Sequence, residues 1–345
     1  MQSMLARGAG AHGMGEFELI RRYFDRHSAA HEGVVLGIGD DCALLAPRAG
    51  YELAISTDML VAGRHFFADV DAATLGWKAL AVNLSDLAAM GALPRAFTLA
   101  LSLPEAVPEW LETFSRGLFE CAFQFECPLI GGDTTRGPLN LCITIFGEVP
   151  SGVAIRRSGA QAGDDLWVSG QLGEAALGLR LRRGDAGLEP LDALATRHAI
   201  NALELPMPRV ALGLALRGVA TAMLDVSDGL LGDLEHVLAA SALPGARIHA
   251  AALPLSAGLL TQPEAVRLQC ALAGGDDYEL CFTAPASQRA RIGDIAARSG
   301  TPLSLIGTVG LASGPAGIQV LDTGGQVLPG FERGQFKGYD HFGNA

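Results

Sequence analysis

The chain has 345 residues, of which 49% are hydrophobic and 18% charged, and its 44 glycines follow no G-x-y period; this composition excludes a disordered chain and a collagen. At roughly 150 residues per domain the length points to two domains, each with core enough to need no staple. A net charge of −12 removes the electrostatic reason to hold nucleic acid or an anionic membrane, and leaves metal ions or a cationic ligand as partners.

Residues 1–13 read as a disordered extension, with Met14 a second candidate start and no apolar stretch of the kind a secretory signal needs. Residues 16–27 place Phe17, Ile20, Tyr23 and Phe24 on one helical face. Residues 34–41 and 51–58 read as strands that end in acidic loops. A helix is expected over 72–90, capped by Asp71 and stopped by Gly91. A strand over 96–103 precedes a helix from Pro108 to about Phe125, with Leu111, Phe114, Leu118 and Ala122 on one face. Residues 128–133 and 139–149 are strands. The pattern changes near 150–160, which divides the chain into an N-terminal domain over 14–152 and a C-terminal domain over 153–345. Helices are expected at about 172–183, 192–202 and 207–217. A strand over 219–226 follows, then a helix that Asp228 caps and that runs to about Ser241, and a strand near 246–252. The stretch LAGGDDYELCFT enters another strand. A helix with Pro285 in its first turn, a strand over 302–309 and a hairpin around Thr323–Gly325 complete the order.

No uncharged apolar run reaches the roughly 18 residues a membrane span needs. The six cysteines form no C-x-x-C and sit mostly in apolar runs, as small buried residues of a reducing compartment. A cytoplasmic protein is expected. The only lysines are Lys78 and Lys337, neither followed by Ser or Thr, so no phosphate-binding loop of the G-x-x-x-x-G-K-[ST] kind exists.

The acidic residues recur just past apolar, strand-like runs or on a mainly apolar helix: Asp40 and Asp41, Ser56-Thr57-Asp58, Asp86, Asp133, Asp225 and Asp228, Asp276 and Asp277. Asp86 lies four residues after Val82 and three after Asn83, so its carboxylate continues an apolar helical face. A carboxylate there costs free energy unless something pairs with it. A single such Asp reads as a cap or turn residue. The set, in a chain with two lysines, points instead to hard divalent ions; Mg²⁺ takes carboxylate and water oxygens and bridges to phosphates. Glycines beside these carboxylates, among them Gly39, Gly132, Gly229 and Gly275, would let backbone N–H groups approach a phosphate. Asn83-Leu-Ser-Asp86 before Gly-Gly-Asp133 is echoed by Asp225-Val-Ser-Asp228 before Gly-Gly-Asp276, a spacing that two related halves or chance would produce.

GEFELI, GIGDDCALL, ISTDMLVAGRHF, KALAVNLSDLAAMGA, IGGDTTRGP, RSGAQAGD, DVSDGLLGDL, GGDDYELCFT and KGYDHF together resemble the thiamine-monophosphate kinase family, from Gly15 to about Phe342. The Ser-Asp and Gly-Gly-Asp pieces alone would fit the wider superfamily of aminoimidazole ribonucleotide synthetase. The resemblance implies a two-domain α/β (α+β) fold like that of this synthetase, with an N-terminal mixed or antiparallel sheet domain that forms a homodimer and a C-terminal α/β domain. It implies ATP-dependent phosphorylation of thiamine monophosphate to thiamine diphosphate, with several Mg²⁺ ions. Asp41, Ser56, Thr57, Asp58, Asp86, Asp133, Asp225 and Asp228 match the family's metal positions. Gly132, Asp133, Arg157 and Ser227 match its ATP contacts. His65, Asp276 and Tyr339 match its contacts to the substrate; the family often carries Glu where this chain has Asp276.

The residues by themselves agree with that chemistry. Without a P-loop lysine, bound metal must neutralise the phosphates, and an acceptor that is already a phosphate, with a second pKa of about 6, needs no general base. No His lies in any acidic cluster, so direct in-line transfer is expected. Two other readings remain at this stage: another ATP-using synthetase of the same superfamily, and a metal-dependent nucleotide-binding regulator without turnover.

Overall fold

The computed structural model describes residues 15–25, 31–310 and 317–331. The expected extension over 1–13, and Tyr339 with the KGYDHF segment, lie outside them.

The first half opens with α1 (Glu16–Leu19), which runs on into a π-helical turn over Ile20–Phe24 that buries Tyr23 and Phe24. A short antiparallel ribbon follows, β1 (Val34–Leu36) and β2 (Leu44–Leu45). Then come β3 (Tyr51–Val61), α2 (Ala72–Ala89), β4 (Leu93–Leu103), α3 (Pro108–Gln124), β5 (Leu129–Arg136) and β6 (Asn140–Pro150). The four long strands form one sheet in the order β3-β6-β4-β5, with only β4 and β5 parallel. One face packs on α2 and α3. Strand alternation sends Leu141, Ile143 and Ile145 of β6 into that layer. The other face is open on β3, where Leu53, Ile55 and Met59 stand exposed.

Two helices this close need small residues where they cross. A Cβ on Gly117 would lie 1.9 Å from the Ala73 carbonyl oxygen, and one on Gly76 would lie 2.2 Å from that of Phe114.

The second half contains β7 (Asp165–Ser169), α4 (Glu174–Arg183), α5 (Ala193–Glu204), α6 (Val210–Ala215), β8 (Ala222–Asp225), α7 (Leu230–Ala240) and β9 (Gly245–His249). It ends with α8 (Ala257–Leu260), α9 (Glu264–Ala273), β10 (Leu280–Ala284), α10 (Arg289–Ser299), β11 (Leu303–Val309) and β12 (Gly317–Leu321). Its six-stranded sheet has the order β12-β9-β11-β7-β10-β8, antiparallel except for β12 on β9. Leu280 and Phe282 of β10 join the same hydrophobic cluster as α2 and the first sheet, while Cys281 faces a second cluster under α7 and α9. One core therefore runs through both sheets, with α2 inside it.

Two expectations are corrected. Ser56–Asp58 is not a loop at the end of a strand but lies inside β3, because β6 pairs with it residue by residue. The strand expected over 128–133 is β5, which runs on to Arg136 beside β4. Gly132 takes φ +149°, and a Cβ there would lie 1.9 Å from the Leu99 carbonyl oxygen, so this ladder requires glycine. The hairpin around Thr323–Gly325 shrinks to one bridge, Leu321 to Val327, since β12 finds its partner in β9.

Gly117→Ala forces the α2–α3 crossing apart. Urea unfolding followed by circular dichroism should show a loss of about 1–3 kcal/mol, the typical range for overpacking.

Candidate active site

Helix α2 carries the site. Asp71 caps it, accepting from the N–H groups of Ala73 and Thr74 at 3.0 Å each. Its other end closes with Gly91 at φ +62°: Gly91 N–H donates to the Ala88 carbonyl (2.9 Å) and Ala92 N–H to that of Leu87 (2.8 Å), a Schellman pair. Almost the whole helix is buried, so each polar side chain on it must find a partner. Asn83 accepts from the Asp58 N–H (3.1 Å) and donates to the Ala79 carbonyl (3.0 Å). Ser85 donates to Asp225 (2.6 Å), and Asp86 accepts from the Ser56 hydroxyl.

These contacts open onto a cavity of about 1250 Å³ between the two halves. Asp58, Asp86, Asp225, Ser227, Asp228, His65 and Asp276 all line it. Strand alternation explains Ser56 and Asp58: both sit on the face of β3 that meets α2, and Ser56 reaches the cluster through Asp86. Asp225 ends β8, and Asp228 stands in the turn before α7.

That turn corrects a further expectation. Asp228 does not cap α7. Asp233, inside the helix, reaches back and accepts from the N–H groups of Ser227, Asp228 and Gly229 at 3.1 Å each. Asp228 itself lines the cavity.

The carboxylates crowd one another out of water. Burial pushes Asp58 up to about 7, with the charges of Asp86 and Asp228 adding to it. Burial, then Asp86, pushes Asp225 up to about 8 against the bond from Ser85. Asp233 is pushed up to about 7 by burial and Asp228. Asp86 is raised by burial, and pulled back by the Ser56 hydroxyl and the charge of Arg157. Among the described residues no three His, Cys, Asp or Glu side chains are grouped as they would be to hold a metal ion.

The other expected residues stand elsewhere. Asp41, Thr57, Gly132, Asp133 and Arg157 are exposed and do not line the cavity. Thr57 and Asp133 occupy register positions of the open sheet face, where the Thr57 hydroxyl meets that of Thr144 at 2.9 Å. His65 Nδ1 accepts from the Val61 N–H (3.0 Å), so its ring proton is on Nε2.

The acids of GGDDYEL are not uniformly short of cations, as sequence suggested. Glu279 is paired with Arg209 and accepts from Ser169. Asp277 accepts from the Gly173 N–H (2.8 Å) at the start of α4. Only Asp276 of the three lines the cavity, and there it meets Lys78 at 3.2 Å. Lys78 and Asp233 are site residues that sequence reasoning missed. A lysine inside an apolar helix was the available signal for the first.

Residues 39–149 match the family model "AIR synthase related protein, N-terminal domain". The structure is similar to a crystal structure of thiamine-monophosphate kinase from Stenotrophomonas maltophilia K279a (TM-score 0.78, 49% identity, 86% of this chain and 93% of that one). It is also similar to "AaThiL complexed with AMPPCP and TMP" (TM-score 0.71, 29% identity, 86% and 89%). Fold and site thus define an AIR synthase-like protein. Thiamine-monophosphate kinase of Escherichia coli K12 is 47% identical over 330 residues, 95% of this chain and 98% of that protein. The chain belongs to the thiamine-monophosphate kinase family.

In an unfolded chain these carboxyls ionise at about 4. Their folded values are higher, so the metal-free protein holds more protons than the unfolded chain between about 4 and about 8 and loses stability as pH rises through that window. Differential scanning fluorimetry of chelator-treated protein should give a higher melting temperature at pH 5.5 than at pH 8. Mg²⁺ should raise it more at pH 8.

Proposed function

We propose that the chain transfers the γ-phosphoryl group of ATP to the phosphate of thiamine monophosphate, giving ADP and thiamine diphosphate. The observation that carries this reading is the cavity wall of Asp58, Asp86, Asp225 and Asp228, where burial and the neighbouring acids push Asp58 up to about 7 and Asp225 up to about 8, beside His65 and Asp276. Family membership supplies the substrates. The relative bound to AMPPCP and TMP supports a site for both, with the thiamine phosphate in this cavity and the nucleotide reaching out of it.

Ser56, Asp58, Asp86, Asp225 and Asp228 would hold Mg²⁺ inside the cavity. Asp41, Thr57 and Asp133 would hold further ions on the nucleotide side, with Gly132, Arg157 and Ser227 against ATP. The effect of Arg157 on Asp86 supports phosphates lying between them. When bound, the ions neutralise the two phosphates that must meet. The protein's own groups do the rest. His65 offers its Nε2–H to the acceptor phosphate. Asp276 meets the cationic substrate, and Tyr339 is the further substrate contact that the family resemblance assigns. The acceptor oxygen is already ionised at neutral pH, so no group need take its proton. The hydroxyls bonded to the acids and the cysteine of the cavity are not set up to carry the phosphoryl group. The Ser56 and Ser85 hydroxyls are committed to Asp86 and Asp225, and burial keeps the Cys270 thiol protonated.

The open face of the first sheet supports a homodimer. Leu53, Ile55 and Met59, with Val35 and Leu44 of the ribbon, stand exposed on large side chains that a second copy would cover. Among the described residues no helix is long and apolar enough to cross a membrane. All six cysteines are free, which supports work in the cytoplasm.

Protein incubated with ATP, Mg²⁺ and thiamine monophosphate should yield thiamine diphosphate, with intersecting initial-velocity lines and no labelled protein from γ-³²P ATP alone. Absence of product at high enzyme concentration would sink the assignment. Asp86→Asn should lower kcat at least about 100-fold and leave the melting temperature equal or higher, because it relieves the crowding. Ile55→Glu should shift the mass measured by sedimentation equilibrium from dimer to monomer; an unchanged mass would put the contact elsewhere.

A further inference from the structure

Lys78 is buried on α2, with only 4% of its side chain exposed. An ammonium so placed needs its protons taken up by fixed acceptors. Two are present, both from the second half of the chain: the Leu203 carbonyl at 2.9 Å, and Oδ1 of Asp276 at 3.2 Å. Tyr278 donates its hydroxyl to the same Oδ1 at 2.9 Å. Both donors thus fall on one oxygen, which leaves Oδ2 as the oxygen for a substrate group.

The segment that carries Asp276 is held in an unusual conformation. Asp276 and Tyr278 have φ +65° and +50°, values that side chains seldom adopt. Asp276 N–H donates to the Ser227 carbonyl (2.8 Å) and Tyr278 N–H to that of Val226 (2.9 Å). A Cβ on Gly275 would lie 2.3 Å from the Ser227 carbonyl oxygen, so this loop can dock against the Asp225–Asp228 turn only with glycine there. The backbone places the carboxyl; the ammonium and the phenol choose how it is turned.

We infer that Lys78 is a positioning residue: from the first half of the chain it fixes the rotation of the Asp276 carboxylate in the second half, and so sets recognition of the thiamine-phosphate substrate through that carboxylate. This rests on the reading of Asp276 as a substrate contact. It also accounts for the shorter acid. With Oδ1 pinned by two donors, the carboxylate of Asp276 is presented in one orientation, where a longer, freer side chain would spread over several rotamers.

The test is a double-mutant cycle of Lys78→Gln and Asp276→Asn, with Michaelis constants for both substrates and melting temperatures for every variant. Lys78→Gln should raise KM for thiamine monophosphate about tenfold, the worth of about one charge-assisted contact, and move KM for ATP less than about twofold. In the Asp276→Asn background the same change should move KM for thiamine monophosphate less than about twofold. Lys78→Arg should recover part of the loss. Tyr278→Phe, which removes the second donor without touching the ammonium, should raise the same KM in a smaller step; it serves if Lys78→Gln does not fold. An equal effect on both substrates, or a full tenfold loss persisting in the Asp276→Asn background, overturns the inference. If Asp276→Asn alone leaves KM for thiamine monophosphate unchanged, the substrate role of Asp276 fails instead.

Discussion

Everything in this molecule hangs on a helix that has no solvent face to spare. Helix α2 packs on α3 and the first sheet on one side and on β8, α5 and α6 on the other. Such a helix is ordinarily apolar all round. This one carries Lys78, Asn83, Ser85 and Asp86, and each is answered by a partner: Leu203 and Asp276, Asp58 and Ala79, Asp225, and Ser56. Three of these partners, Asp276, Leu203 and Asp225, belong to the second half. The polar groups that α2 must satisfy are therefore the same groups that join the halves and line the cavity. Gly91 extends this junction beyond the helix end, where its carbonyl accepts from Arg217 at 2.5 Å.

Buried carboxylates without cations are a liability in the apo protein. Values pushed up to about 7 and about 8 at Asp58 and Asp225 mean that ionising them together at neutral pH costs free energy. A structural network would avoid that by pairing each acid with a base, as the same protein does with Asp165 and Arg289 or Glu148 and Arg48. Acids raised by burial and by one another, gathered in one cavity, mark function more sharply than the acidic composition does.

Much of this was legible in the sequence, and what was not has physical reasons. The bounds of α2 were readable because Asp71 and Gly91 are capping residues whose chemistry is local. So was the inward face of Asp86, which helical period alone decides. Polar Ser56–Asp58 looked like a loop, because sequence does not reveal a partner strand that satisfies its backbone. Asp228 looked like a cap; its displacement by Asp233 depends on a reach-back that spacing does not distinguish from an ordinary first-turn acid. Helix α9 places Val266 and Cys270 four residues apart on one face, a signal that was present and carried no expectation. The Lys78–Asp276 contact joins residues distant in the chain, and only the packing of α2 against the second half creates it.

Strand β3 shows how far one local rule reaches. Its period of two sends Ser56 and Asp58 toward α2 and Leu53, Ile55, Thr57 and Met59 to the open face. The two faces have opposite requirements. The first holds carboxylates away from bulk water, and the second presents large apolar side chains that stand exposed among the described residues. A shift of register by one residue would exchange them, sending Asp58 to the open face and Met59 toward Asp86. The full eleven-residue pairing with β6, from Tyr51 opposite Pro150 to Val61 opposite Asn140, resists that slip. The length of this ladder, more than any one contact within the cavity, keeps the acidic site and the apolar face on their own sides of the sheet.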